Sequence, residues 1–226
     1  MAVIATPLQI IVGDVAARAV RDEQPAKFAA MELITQTGSH QPETIGGILV
    51  DGRVVDGLQI PDLASLLAGF SPDTVITGLD ALASDRQPPP NVVHLAWNAM
   101  VGIGTLLLIP AGWFVLAWWR RRELPRSPWF LRLASVTGVA AVGAMEAGWV
   151  VTEVGRQPWL VYGLLRTSDA VTLAPGIELS LFLTTLLYLV LGVTTLLVVA
   201  GMARRWQRGT ISDADVPYGP RKPATR

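Results

Sequence analysis

A carboxylate lies near the middle of a long apolar stretch in the second half of the chain. Glu146 is flanked by apolar residues on both sides, and Glu153 follows seven residues later. An ionisable side chain inside a membrane span is costly unless it pairs with another charge, binds a cation or serves a proton path. Glu146 is therefore the first candidate functional residue, whereas Glu153 lies near the end of the stretch, where water can solvate it.

A methionine on another apolar stretch could do different chemistry. Met100 is followed by Gly102 and Gly104, which leave space beside a helix for a bulky planar group or for a closely packed neighbour. A thioether is a poor ligand for hard cations but a known axial ligand of haem iron. Methionines in such helices more often fill gaps in the packing, so Met100 alone does not decide between the two roles.

The other polar candidates lie outside the apolar stretches or at their ends. Lys27 and Glu32 are ordinary loop charges on composition alone, and His94 is interpreted as an interfacial polar residue rather than a metal ligand. The chain has no cysteine, which excludes disulfides and thiolate chemistry. Its 18 basic and 18 acidic residues cancel, and no phosphate-binding glycine loop or nucleic-acid motif is present, so no nucleic-acid partner is expected.

The elements that must position these residues are membrane helices. The chain has 226 residues, of which 51% are hydrophobic and 16% charged, which is too apolar for an ordinary soluble domain. A span takes about 20 apolar residues, and the stretches at 92–119, 129–154 and 177–202 are long enough. The apolar segment at residues 1–14 is shorter and contains Pro7, so we expect a partial span whose beginning lies outside this sequence.

Arginine clusters predict how the spans are oriented. They lie at residues 120–122 and 204–208, after the first and third spans, and the positive-inside rule places both in the cytoplasm. The fold class predicted is an all-α integral membrane bundle of three full spans and one partial helix, with an external loop. The predicted parts are a partial transmembrane helix at 1–14, an external loop at 15–90, a three-helix transmembrane domain at 91–203 and a disordered cytoplasmic tail at 204–226.

The external loop contains local structure and is large enough to form a binding surface. Alternating residues at 48–55 around Asp51-Gly52 predict a short hairpin, and residues 62–67 predict a short amphipathic helix. The loop at 155–176 lies on the same, outer side.

Helix geometry relates the two candidate spans. Met100 lies about 12 Å inside the outer end of its span, and Glu146 about 13 Å inside the outer end of the next, so the two share a depth. Spacing places Glu146, Trp149, Val150 and Glu153 on one helical face. We expect this face to look inward.

Three local strings go further than spacing. Residues 155–159 read GRQPW and follow Glu146-Ala147-Gly148-Trp149 and Glu153; residues 24–32 read QPAKFAAME; residues 100–104 read MVGIG. Together they closely resemble subunit I of the bacterial cytochrome bd family of quinol oxidases. Their order, spacing and predicted membrane sidedness agree with that family across nearly the whole chain.

The resemblance implies three haems and assigns residues to them. Met100 would be an axial ligand of the low-spin haem b, and Glu146 would ligate or lie against the high-spin haem b. The third haem would be haem d or a third haem b. Further cofactor contacts expected from the resemblance and from the Glu146 face are Trp149, Arg156 and Gln157, the last two at haem propionates, for which a guanidinium is well suited.

The resemblance also implies a reaction. Lys27 and Glu32 would bind and deprotonate quinol at the outer surface, and Glu146 with Glu153 would serve the oxygen-reducing site. Quinol oxidation would reduce oxygen to water with protons taken from the cytoplasm, which generates a membrane potential. The quinol would be ubiquinol or menaquinol, and the location would be the bacterial cytoplasmic membrane. The alternative is a non-catalytic remnant or assembly protein of the same family.

Two departures from the family pattern matter. Asn98 stands where better-known members carry an arginine, and the chain begins within a span that is not the first of a complete subunit I. The absent half would hold the histidine that pairs with Met100, so the chain is expected to be either a truncated product or half of a split subunit. The expected partners are the histidine-bearing N-terminal half, oxidase subunit II, a possible small accessory subunit and membrane lipid.

Overall fold

The computed structural model describes residues 2–123, 125, 127–172 and 174–208 of the chain. Most of the tail predicted at 204–226 therefore lies outside the described residues. The chain divides into two compact units, Met1–Val171 and Thr172–Arg226, and each is described by itself.

The first unit is mostly helical and contains two small antiparallel sheets. Its helices and strands are α1 (Ala2–Glu23), α2 (Pro25–Glu32), β1 (Glu43–Val50), β2 (Arg53–Ile60), α3 (Leu63–Gly69), α4 (Pro90–Leu106), α5 (Leu108–Arg121), α6 (Pro128–Val154), β3 (Trp159–Val161) and β4 (Leu165–Arg166). The second unit contributes one long apolar helix, α7 (Ile177–Gln207), whose last turn carries arginines.

Four helical segments are long and apolar enough to cross a membrane: Val3–Glu23, Pro90–Arg121, Pro128–Val154 and Ile177–Arg205. The three predicted full spans correspond to the last three segments. The structure differs at the first, where the partial helix predicted at 1–14 continues to Glu23. An all-α description also omits the two small sheets.

The extension of α1 has a local cause. The residues after Gly13 are mostly good helix formers, and Asp14 pairs with Arg18 one turn later, with Oδ2 and Nη2 2.5 Å apart. A prediction from hydropathy ends the helix where charged residues begin. The helix continues past this point because its backbone hydrogen bonds do not depend on apolar side chains.

The second candidate span is interrupted at Leu107, between α4 and α5. Pro110 lies three residues beyond this point and has no backbone N–H to donate to the carbonyl of Leu106, and its ring crowds that carbonyl. Proline is used differently at the starts of α2, α4 and α6, where it occupies the first turn. There its missing donor costs nothing and its fixed φ suits a helix.

The predicted hairpin is confirmed and is longer than the alternation indicated. β1 pairs with β2 from Glu43↔Ile60 to Val50↔Arg53. The connecting residues Asp51 and Gly52 have φ of 48° and 76°, which is the two-residue hairpin turn that right-twisted strands favour. The short helix predicted at 62–67 is also confirmed, as α3.

The packed interior of the first unit is centred on α2, which is buried along nearly its whole length. One apolar cluster joins α2 to α3 and the loop that follows it. A second joins α2 to α4 and α6. The buried members of the second cluster are Ala30, Met31, Val93 and Val151.

Candidate functional site

Lys27 is buried, although the composition of its segment suggested an ordinary loop charge. Its side chain is 7% exposed and lies against the C-terminal end of α6, where Nζ is 3.4 Å from the carbonyl oxygen of Thr152. A Cβ at Gly155 would lie 3.1 Å from Cγ of Lys27, so the first residue of the GRQPW string must be small for this approach. Burial lowers the pKa of Lys27, the charge of Arg156 lowers it further, and Glu153 partly opposes them.

Glu32 lies at the other end of α2 and is also buried, with 5% of its surface exposed. Its Oε2 atom is buried and has no hydrogen-bond partner among the described residues. Burial raises the pKa of Glu32 well above the ordinary range, and the neighbouring carboxyl of Glu43 raises it further, whereas a hydrogen bond from Trp97 opposes them. The buried surroundings of Glu32 therefore disfavour its ionised form.

Sequence reasoning missed Glu43, the first residue of β1. Burial raises its pKa, and its hydrogen bond with Glu32 and the charge of His94 act in the opposite direction. Nothing in the local pattern around Glu43 distinguishes it from a solvated strand residue. Only the packing of the hairpin on α2 and α4 brings its carboxyl to Glu32.

Met100 is half-buried on α4 and lies against α6, the helix with which α4 packs. A Cβ at Gly148 would lie 2.7 Å from Sδ of Met100, so this glycine provides the space that the thioether fills. No described atom lies within 4 Å of a Cβ built at Gly102 or Gly104. The space beside these two glycines is open, as their sequence pattern predicted.

The expectation that the Glu146 face looks inward is wrong for the described chain. Glu146 and Glu153 are exposed, and Trp149 is 63% exposed. The packed face of α6 instead carries Gly148 and Val151. Two residues along a helix correspond to a rotation of about 200°, so the Glu146 and Gly148 faces point nearly opposite ways.

The GRQPW string forms the turn between α6 and β3. Nη2 of Arg156 lies 3.4 Å from Oε1 of Glu153, one helical turn earlier. Oε1 of Gln157 accepts a hydrogen bond of 2.9 Å from the hydroxyl of Thr167. The string thus touches Lys27 through its glycine, while its two polar side chains are held by residues of its own segment.

An unexpected polar face on α4 holds the hairpin. His94 is fully buried within the described chain, with Nδ1 2.6 Å from the Met31 carbonyl and Nε2 2.9 Å from the Gly46 carbonyl. Asn98, one turn after His94, accepts a 3.0 Å hydrogen bond from the Gly46 amide.

Asn91 completes this face one turn before His94. It accepts a 2.6 Å bond from the Leu49 amide and donates a 3.0 Å bond to the Leu49 carbonyl. The signal that could have revealed the face is the spacing of polar residues at 91, 94 and 98 on an otherwise apolar helix.

The donor groups set a limit on any bound metal or haem. Within the part of the chain that the structure describes, no three His, Cys, Asp or Glu side chains are grouped so as to hold a metal ion. Met100 and Glu146 each offer a single ligand atom type, a thioether and a carboxylate.

These features define a multi-pass membrane protein in which a short buried helix places a lysine and a glutamate between a hairpin and two of the candidate spans. Residues 1–207 match the family described as cytochrome bd terminal oxidase subunit I, and the chain belongs to this family. The resemblance drawn from the three strings is thus confirmed.

Individual relatives agree with this assignment. A Bacillus subtilis protein provisionally named cytochrome bd menaquinol oxidase subunit I is 36% identical over 83% of this chain and 42% of its own length. A second B. subtilis protein, cytochrome bd ubiquinol oxidase subunit 1, is 27% identical over 91% of this chain and 47% of its own length. The bd oxidase structure from Geobacillus thermodenitrificans matches with a TM-score of 0.78 and 35% identity, over 90% of this chain and 47% of that chain. The chain therefore spans less than half the length of these relatives.

Proposed function

We propose that this chain is the C-terminal part of subunit I of a cytochrome bd-type terminal oxidase, which oxidises quinol and reduces oxygen to water. The observation that carries the proposal is the position of α2. Residues of all three motif strings lie around it: Lys27 and Glu32 belong to α2, Gly155 touches Lys27, and α4 with Met100 packs beside it. Lysine and glutamate side chains are rarely buried, so the burial of both on one two-turn helix distinguishes α2 from an ordinary surface loop.

Lys27 and Glu32 are the proposed quinol-binding residues on the outer face. The Lys27 ammonium can donate a charge-assisted hydrogen bond to a quinone oxygen, and burial strengthens such a bond. Glu32 is placed to take up a proton as electrons leave, since its Oε2 has no partner in the described chain. The relatives are named as menaquinol and ubiquinol oxidases, so the quinol belongs to one of these two classes.

The residues of this chain supply part of the binding sites for the haems that the family implies. Met100 is half-buried beside the open space at Gly102 and Gly104, which suits a low-spin haem b. Glu146 is exposed in mid-span and makes no hydrogen bond or ion pair among the described residues, which is costly in lipid unless another group covers it.

The cover proposed for Glu146 is the high-spin haem b, together with a haem d or third haem b held mainly by other parts of the oxidase. These haems would supply electron transfer and oxygen reduction. Trp149 lies on the same exposed face, and Arg156 at its outer end can bind a propionate. Glu153, which pairs with Arg156, is the second proposed acidic residue of this region.

Two observations lead to the proposed partners. Met100 and Glu146 each supply one ligand, and the chain spans less than half the length of its relatives. A histidine-bearing N-terminal half would complete the haem sites, and subunit II and a small accessory subunit would cover the remaining exposed spans. The proposed location is the bacterial cytoplasmic membrane, with the α2 region and the GRQPW turn outside and the arginine-rich ends in the cytoplasm.

The haem assignments are tested by purifying the chain with its partners and recording reduced-minus-oxidised spectra. Glu146→Ala should remove or disturb the high-spin haem signal, and Met100→Leu the low-spin signal. Glu123→Ala, which removes an exposed carboxylate at the opposite end of the spans, is the matched control. A haem spectrum that Glu146→Ala leaves unchanged contradicts the assignment, and a colourless preparation favours the non-catalytic alternative.

The quinol assignment has its own test. Lys27→Met should lower quinol turnover and leave both haem signals intact, because Lys27 lies at the outer end of α6 and not in mid-span. Arg53→Met removes an exposed positive charge on the hairpin and serves as the control. Equal turnover in the two variants contradicts the role of Lys27.

A further inference from the structure

The arginine-rich end of α5 borders a cavity of about 440 Å³ that the proposed oxidase chemistry does not use. Its charged lining consists of Arg120 and Arg121 in the last turn of α5 and Glu123 just after the helix. Within the part of the chain that the structure describes, neither arginine side chain forms an ion pair or a hydrogen bond. The cavity thus offers two unpaired guanidinium groups against one carboxylate, which favours a ligand with a net negative charge.

Apolar and aromatic side chains form the wall of this cavity on the side away from the arginines. The ring of Trp113 contacts the ring of Phe130 on α6, with the two centroids 5.9 Å apart, and this contact closes the wall between the two helices. Tryptophan and arginine at the end of a membrane helix lie at the headgroup level of a bilayer. Basic pockets between membrane helices on the cytoplasmic side suit anionic headgroups. The position and the lining of the cavity therefore agree.

An apolar groove of about 530 Å³ adjoins the cavity, and Leu116 lines both. The groove lies between α1 and α5, and its lining includes Val3, Pro7, Leu108, Gly112, Val115 and Trp119. Along α5 this lining extends from Leu108 to Trp119, which is about 16 Å at about 1.5 Å per residue. One leaflet of the hydrocarbon core is about 15 Å deep, half of the whole core. The groove therefore has the length that one acyl chain needs alongside the helix.

We propose that the cavity and the groove together bind one anionic phospholipid of the cytoplasmic leaflet. Its phosphate lies at Arg120 and Arg121, whose planar donors can each bind two phosphate oxygens, and one acyl chain lies in the groove between α1 and α5. Glu123 accepts hydrogen bonds from headgroup hydroxyls. The charged lining has one positive charge in excess, so phosphatidylglycerol, with one net negative charge, neutralises it. The site depends on the proposed membrane orientation and not on the oxidase activity.

The headgroup contact is tested by native mass spectrometry of the full chain in detergent, with added phosphatidylglycerol or zwitterionic phosphatidylethanolamine. The wild type should bind phosphatidylglycerol more tightly. Each arginine near a membrane surface contributes about a fivefold factor, so Arg120→Gln with Arg121→Gln should weaken phosphatidylglycerol binding by about 25-fold. Arg204→Gln with Arg208→Gln removes the same charge from the end of α7 and is the matched control. Equal losses in the two double variants, or equal binding of the two lipids by the wild type, overturn the site.

The acyl groove is tested separately in the same assay. No described atom lies within 4 Å of a Cβ built at Gly112, so Gly112→Leu fits on the helix and fills the groove. This variant should weaken the binding of both lipids to the same extent, whereas Gly138→Leu, at an equally open position on α6, should weaken neither. Glycerol phosphate carries the headgroup charge without a chain and should not displace bound phosphatidylglycerol at equal concentration. Displacement by glycerol phosphate, or unchanged lipid binding in Gly112→Leu, overturns the assignment of a lipid to this site.

Discussion

Replacement of Gly148 by alanine tests the contact between α4 and α6 directly. The added Cβ would lie 2.7 Å from Sδ and 3.6 Å from Cγ of Met100. Non-bonded heavy atoms of this kind sit about 3.5–4.0 Å apart, so the sulfur must move by about 1 Å. The backbone of α4 need not move, because the obstructing atom is near the end of a side chain with three rotatable bonds.

The expected free-energy change combines two opposing effects. Displacing the thioether from its preferred rotamer costs about 0.5–1.5 kcal/mol. Replacing a helical glycine by alanine stabilises the helix by about 1 kcal/mol. The net change in the free energy of unfolding is therefore close to zero, while the displacement of Met100 is large. Gly143→Ala is the matched control on the same helix, because no described atom lies within 4 Å of its Cβ.

The assay is the methyl spectrum of protein labelled at methionine, which contains only five such residues. Gly148→Ala should shift the Met100 methyl resonance, and Gly143→Ala should not. In the assembled oxidase the same variant should alter the low-spin haem signal if Met100 is its ligand. Equal Met100 shifts in both variants, or a stabilisation of Gly148→Ala as large as that of the control, would refute the α4–α6 contact.

Two further predictions concern the outer region. Asn91→Ala should destabilise the hairpin by about 1–3 kcal/mol, because it leaves the amide and carbonyl of Leu49 without partners; faster hydrogen exchange at the Leu49 amide would reveal it, and unchanged exchange would contradict it. His40 bridges Asp62 and Asp73, and its hydrogen bond with Asp62 is the main cause of its raised pKa. A raised pKa means that the stabilisation is present below the ordinary histidine value of about 6.5 and is lost as pH rises through the folded value. Proteolysis near His40 should accordingly be slower at about pH 6 than at about pH 8 in the wild type, and the difference should vanish in His40→Gln, where a persisting difference would assign it to another group.

Local features of this protein followed from local sequence. Apolar runs predicted three spans, and Asp51-Gly52 between alternating residues predicted the hairpin, because each depends on neighbouring residues alone. The end of α1 was less predictable, because the hydropathy of the sequence falls several residues before the helix ends. The family strings pointed to Lys27 and Glu32, although composition gave no reason to expect that both are buried.

The sequence by itself could not determine which face of α6 packs. A membrane helix that is apolar all round gives little contrast between its faces, so spacing around Glu146 was compatible with either orientation. The tertiary structure decided it through small residues, because Gly148 and Gly155 let Met100 and Lys27 approach. The contact between Glu32 and Glu43 was decided in the same way. It joins a helix to a strand that begins eleven residues later, and the physical reason for it is the hairpin's attachment to the polar face of α4.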